Sequence, residues 1–238
     1  FLVACVAAML CGAFNGILVS KFNIQPMIAT LILFTAGRSI AAWINNNELP
    51  VISEESFGIY GGFIPGIPIP TPVFIMLICV LLTALALKYT NLGLYTQAVG
   101  INASSSRLNG LNPAFIKFIS FVILGLCVAV VGLIKVSRLS SINYSVIAKD
   151  IEMDAILAVA LGGNSLSGGK FNMTASILGA YVIQFLTTTL YKFNVESAAL
   201  SAYKAVVVIA LVVFSAPAVR KKFADLTKKM KPQAKEAV

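Results

Sequence analysis

Apolar residues run through this chain in long blocks, separated by short connections that hold most of its charges. A helix needs about 20 predominantly apolar residues to cross the hydrocarbon core of a bilayer. Blocks of that size occupy 1–20, about 24–44, 71–90, 115–136, 173–192 and 200–217. Before the last two lies 150–170, apolar only from Ala155 to Leu161 and then broken at Gly162-Gly163 and Gly168-Gly169. The pattern predicts an all-α, polytopic membrane helix bundle of about seven crossings, one of them broken.

Composition strengthens that picture. Hydrophobic residues other than glycine make up 58% of the 238 residues, charged residues only 11%, and mean hydropathy is +0.91. Soluble domains average about 25% charged residues, and a sphere this apolar could not cover itself with polar surface. A soluble enzyme, a disordered tail and a disulfide-stapled secreted domain are excluded. Cys5, Cys11, Cys79 and Cys127 all sit inside apolar runs, with no CxxC pair and no histidine in the chain, so they read as buried structural thiols. No metal site and no cofactor is expected. Phe1 begins inside an apolar run with neither a basic stretch nor an initiator Met before it. A signal peptide is therefore not expected, and the chain reads as a fragment without its N-terminal part.

The net charge of +9 bears on topology rather than on nucleic acid, because no cationic groove with interleaved aromatics is present. One set of connections carries Lys21, Lys88, Arg107, Lys117, Lys170 and the seven cations from Arg220 to Lys235. The opposite set has only Lys135, Arg138, Lys149 and Lys192, together with Glu48, Glu54, Glu55 and Glu196. Positive charge marks the cytoplasmic side, which puts the C-terminus inside. The organisation expected is a transmembrane domain over 1–219 and a basic cytoplasmic tail over 220–238, the tail touching anionic membrane lipid. With the tail inside, 150–170 must also cross. Its dozen helical residues reach about 18 Å, and the Gly-rich stretch is expected to supply the remainder as extended chain. Such backbone is tolerated in a membrane only where protein or a water-filled cavity covers it, which suits a broken span beside a translocation path; the other reading is a short helix capped by ordinary glycine turns in a loop.

Gly163-Asn164-Ser165-Leu166-Ser167-Gly168-Gly169-Lys170-Phe171 mimics a phosphate loop. Gly169 separates Gly168 from the lysine and Phe171 stands where a magnesium-binding hydroxyl is needed, so nucleotide is not bound here. Any ATP energy must come from another subunit. Proton-driven carriers usually depend on acids deep in apolar spans, and this chain shows neither those nor a histidine. A secondary solute carrier remains the alternative through carbonyl-built sodium sites. A membrane enzyme would need a nucleophile–base pair or a metal cluster, and neither is visible. The connection 91–114 differs from the rest. Small residues at 103–106 between Gly100 and Gly110 suit a short helix that docks closely on a partner, with Arg107 as its anchor, and equally a solvated turn.

Several blocks in order now carry a resemblance. They are Asn15-Gly16-Ile17-Leu18-Val19; Ile24-Gln25-Pro26-Met27-Ile28-Ala29-Thr30 with Gly37-Arg38; Ala98-Val99-Gly100-Ile101-Asn102 with Gly110; and Glu152-Met153-Asp154-Ala155-Ile156 through Gly162-Gly163 and Gly168-Gly169 to Phe171-Asn172. From about Gly12 to Phe214 the chain resembles the permease subunits of bacterial ribose-type sugar ABC importers, especially those for galactofuranose. The resemblance implies about ten spans in a full chain, residence in the bacterial inner membrane, and a second permease copy, identical or not. It also implies a cytoplasmic ABC ATPase subunit, a periplasmic sugar-binding protein, and import of a monosaccharide without chemistry by the permease itself. In the family the loop after the third span here couples to the ATPase, which assigns that role to Gly100, Asn102, Ser105, Ser106, Arg107 and Gly110. Ser105 and Ser106 stand where the family usually has alanines. Candidates for the substrate path are Asn15, Gln25, Arg38, Asp154, Gly162, Gly163, Asn164, Gly168 and Gly169. Two readings stay open for Arg38, snorkelling to the outer surface or facing sugar hydroxyls or Glu48 at the mouth of the path. Asn15 and Gln25 likewise suit inter-helical hydrogen bonds or substrate contact.

Overall fold

In the computed structural model, residues 1–52, 55–64, 66, 68–144, 146–165, 168–169, 171–193, 199 and 202–206 are described. The helices among them are α1 (Leu2–Ser20), α2 (Pro26–Ile44), α3 (Glu55–Gly58), α4 (Thr71–Tyr89), α5 (Leu92–Ile101), α6 (Ala103–Leu108), α7 (Pro113–Leu139), α8 (Ile151–Leu161) and α9 (Met173–Lys192). Helices α1, α2, α4, α7 and α9 are long and apolar enough to cross a membrane. They match the blocks read from the sequence, so the all-α, polytopic class stands. Of the expected seventh crossing at 200–217 only 202–206, which is helical, is described; the basic tail at 220–238 lies outside the described residues.

Prolines place the starts of three spans. Pro26 and Pro113 are the first residues of α2 and α7, and Pro72 is the second of α4. A proline there loses no helical hydrogen bond and its fixed φ suits the first turn. The chain forms two compact units, 1–149 and 150–238.

The first unit is built on an antiparallel α1–α7 pair whose backbones touch. A Cβ added at Gly12 would strike the carbonyl oxygen of Phe121, and one at Gly125 would come to 2.5 Å from that of Ala8. Gly16 faces Phe118 in the same row. This is close packing through small residues, the usual glue between helices in lipid, where no hydrophobic drive exists. The α1–α7 pair has two differently built ends. At one, Ile52 donates to Ser140 O (2.8 Å), Ile142 donates to Pro50 O (3.0 Å), and Gly61 N–H donates to Ser137 Oγ (2.8 Å). At the other lie the end of α1, the helices α5 and α6, and the first turn of α7. Within this unit Lys21, Arg107 and Lys117 lie toward one end of the pair, and Lys135 and Arg138 lie toward the other.

The second unit holds α8 against the first part of α9 as an antiparallel hairpin. Gly179 meets the Ala158 carbonyl, and a Cβ at Gly162 would lie 2.6 Å from Ala175 O. Ala158 and Ile183 are its buried apolar centre, with Leu157 packed on them.

Candidate functional site

Helix α5 ends where Asn102 turns extended, with φ −155° and ψ 103°, and α6 starts again at once. The Asn102 side chain accepts from Ser105 N–H at 3.0 Å, an N-cap. Ser106 Oγ donates to Asn102 O at 2.8 Å, and Asn109 Nδ2 donates to Ser105 O at 2.9 Å. Gly110 then takes φ +79°, a left-handed conformation that closes the helix end. Only Leu111 separates it from Asn112, whose side chain accepts from Phe115 N–H to cap α7. The predicted short helix is present, with one correction. Gly100 does not bound it but lies inside α5; the boundary is Asn102, because its side chain satisfies the free N–H groups of a new first turn.

The candidate coupling residues divide. Ser105, Arg107 and Gly110 are exposed, whereas Ser106 is buried against the chain itself and cannot be offered to a partner. Sequence alone does not single out Leu108, which is 89% exposed and presents an apolar side chain at the tip of α6. Beside α6 opens a cleft of about 510 Å³, where Arg107 and Lys117 join Ser20, Asn23, Ser104 and Asn112. Among the described residues, no acidic side chain lines it.

The path candidates fall in different places. Asn15 is buried on α1, and its Oδ1 has no hydrogen-bond partner among the described residues. Gln25 is exposed just before α2; its carbonyl, not its side chain, serves the first turn. Arg38 donates to Tyr144 O at 3.0 Å and stacks over Phe34 at 4.6 Å, while Tyr144 OH donates to Asn47 Oδ1. Arg38 therefore clamps the end of α2 to the segment after α7, a third role beside the two left open.

The Gly-rich stretch is not extended where it leaves α8. Gly162 and Gly163 form a turn, with Gly163 at φ +77°. Asn164 then closes back on α9: its Oδ1 accepts Asn172 N–H at 2.6 Å and its Nδ2 donates to Ser176 Oγ at 2.7 Å. Asn172 in turn caps α9 by accepting from Ala175 N–H. Gly168 and Gly169 also have positive φ, 94° and 107°. The expected extended extension is corrected accordingly: the amide of Asn164 folds the chain back beside the start of α9. Helix α8 spans about 16 Å and α9 about 30 Å, so the part of α9 left without α8 beside it is its second half. Asp154, one turn into α8, is ion-paired with Lys204 at 2.8 Å. That pairing joins residues 50 apart, and nothing in their local sequence announced it.

Over residues 1–216 the chain matches the model of a family described as the permease component of branched-chain amino acid transport systems. The chain belongs to this family. It is 37% identical to the fructose import permease protein of Bifidobacterium longum, over 98% of this chain and 67% of that protein. It is 35% identical to the galactofuranose transporter permease protein of Escherichia coli K12, over 86% of this chain and 60% of that protein. The ribose import permease protein of the same strain is 37% identical over 87% and 67%. The chain thus spans 60–67% of these curated relatives. No solved structure matches it significantly. Membership and the long apolar helices make this a multi-pass membrane protein and a transport permease.

Proposed function

We propose that the chain is the permease subunit of an ATP-binding-cassette importer that brings a monosaccharide into a bacterial cell across the inner membrane. The observation that carries this reading is that permeases named for fructose, galactofuranose and ribose align with 86–98% of the chain at 35–37% identity. The family as a whole is described by amino acid transport, so membership alone leaves the solute class open; these relatives favour a sugar. The chain performs no chemistry, and its energy comes from a cytoplasmic ATPase, while a periplasmic sugar-binding protein delivers the solute to the permease.

The coupling surface is Ser105, Arg107 and Leu108, with Asn102 and Gly110 shaping it and Gly100 bearing on it from α5. Stiff, doubly capped and joined to α7 by a few residues, it suits transmission of a partner's movement. The cations of its cleft suit the cytoplasmic side, and the seven cations from Arg220 to Lys235 assign the same side to the tail at 220–238 that follows the permease domain over 1–219. A second permease copy completes the path. Its lining in this chain comes from α8, Gly162, Gly163, Gly168 and Gly169.

Reconstitution of the full permease with its ATPase and binding protein in vesicles tests this. Uptake of one or more of fructose, ribose, galactofuranose or galactose, dependent on ATP and on binding protein, is expected. Uptake driven by an ion gradient without ATP would instead establish the secondary carrier.

A further inference from the structure

Lys204 belongs to an apolar run and its side chain is only 15% exposed. An ammonium group so placed is costly unless a counter-charge and hydrogen bonds accompany it. Asp154 supplies both, accepting from Lys204 Nζ at 2.8 Å on Oδ2 and 3.1 Å on Oδ1. The carboxylate is 34% exposed.

The place of Asp154 on α8 gives the pair its meaning. The C-terminal part of α8 is fixed to α9 by backbone contact at Ala158 and Gly162. Its N-terminal end follows Ala148 and Asp150, both left-handed with φ of 55° and 64°, so no regular element leads into it. Among the described residues, the ion pair is the charged tie on that end. It joins α8 to the helical turn at 202–206, within the same compact unit.

We propose that Asp154 and Lys204 are positioning residues of transport: their ion pair holds the start of the half-length helix α8 in register with the helix that carries Lys204. Loss of one partner leaves the other charge unpaired in an apolar setting and shifts α8. Loss of both removes the penalty along with the tie. This rests on the transport reading given above.

Asp154→Asn, Lys204→Met, the double neutral variant and the exchange Asp154→Lys with Lys204→Asp separate the possibilities in vesicles holding the complete transporter. Uptake is normalised to folded permease, measured by size-exclusion in detergent. Each single change should lower maximal uptake about tenfold or more with KM for the loaded binding protein nearly unchanged. The exchanged variant, which restores the tie, should recover to within about threefold of wild type, whereas the double neutral variant, free of the penalty but without the tie, should exceed both singles and stay below the exchange. Normal uptake in both single variants overturns the proposal. So does an exchange no better than the worse single, or a loss that vanishes on normalisation, which would make the pair a folding element alone. Absence of wild-type uptake counts against the sugar-import reading alone; the same order of variants is then read from ATPase stimulation by binding protein, and a flat order there overturns the pair.

Discussion

The side chain of Asn164 takes the backbone N–H of Asn172 at 2.6 Å, closing the turn between α8 and α9. The carboxamide also donates to Ser176 Oγ and to Asn172 O. One residue therefore replaces the ladder that a longer helix would have provided, in a part of the chain where exposed backbone is expensive.

Asn164→Ala should lower the thermal midpoint of the detergent-solubilised permease by several degrees. The hydrogen bonds lost are exposed or part-buried, and each contributes about 0.5–1.5 kcal/mol. Asn164→Asp keeps the acceptor for Asn172 N–H and loses both donated bonds, so it should fall between alanine and wild type. Equal midpoints for all three would mean that the turn does not depend on this amide.

Gly12 and Gly132 offer a paired test of the α1–α7 contact. Alanine at Gly12 meets the Phe121 carbonyl, while alanine at Gly132 has nothing within 4 Å. Overpacking typically costs about 1–3 kcal/mol. Gly12→Ala should reduce the monodisperse fraction after extraction, and Gly132→Ala should match or exceed wild type, since alanine is the better helix former. The prediction fails if both behave alike.

Leu108→Glu probes coupling more cleanly than a bulky change at Gly110. The φ of +79° at Gly110 strains any side chain, so Gly110→Trp mixes backbone distortion with a blocked contact. Leu108 is exposed and makes no demand on its own helix. The new charge should leave insertion intact and cut binding-protein-stimulated ATPase activity about tenfold. Ordinary stimulation with Leu108→Glu would remove α6 from the docking surface.

Single cysteines at Ser105 and Glu48, in a background without the native thiols, should react with an impermeant maleimide from opposite sides of the membrane. Both positions are exposed and lie at opposite ends of the first unit. Ser105 should label from the cytoplasm. Reaction of both from one face would refute the orientation drawn from charge.

The crossings are legible in the sequence because lipid demands a long apolar block for every span, and the starts at Pro26 and Pro113 are written there too. The short helix after Asn102 is also foreseeable from its small residues. Its true boundary is equally legible: asparagine before Ala103-Ser104-Ser105 is a helix-start signal, although the nearby Gly100 suggests an earlier one. The pattern Gly12-x-x-x-Gly16 likewise carries the α1 contact surface. Other features exist only in three dimensions. Arg38 reaches Tyr144 across 106 residues and Lys204 reaches Asp154 across 50, and periodicity does not encode such meetings. The reversal at Asn164 is hidden for the same reason: glycine shows that backbone can turn, while the hydrogen-bond partner decides which way.

The bare contact between α1 and α7 has a mechanical consequence. With carbonyl oxygens seated against glycine Cα atoms, neither helix can slide along the other without lifting away, so the two form a single strut. Helix α7 is about 40 Å long, and its first turn adjoins α6 while its last is stitched to the loop beyond α2 by the Ser140–Ile52 hydrogen bond. A push entering at Pro113, as the proposed coupling requires, would therefore not be absorbed along the way. It would emerge at the far rim as a displacement of that loop, carried by rigid translation rather than by any relay of side chains.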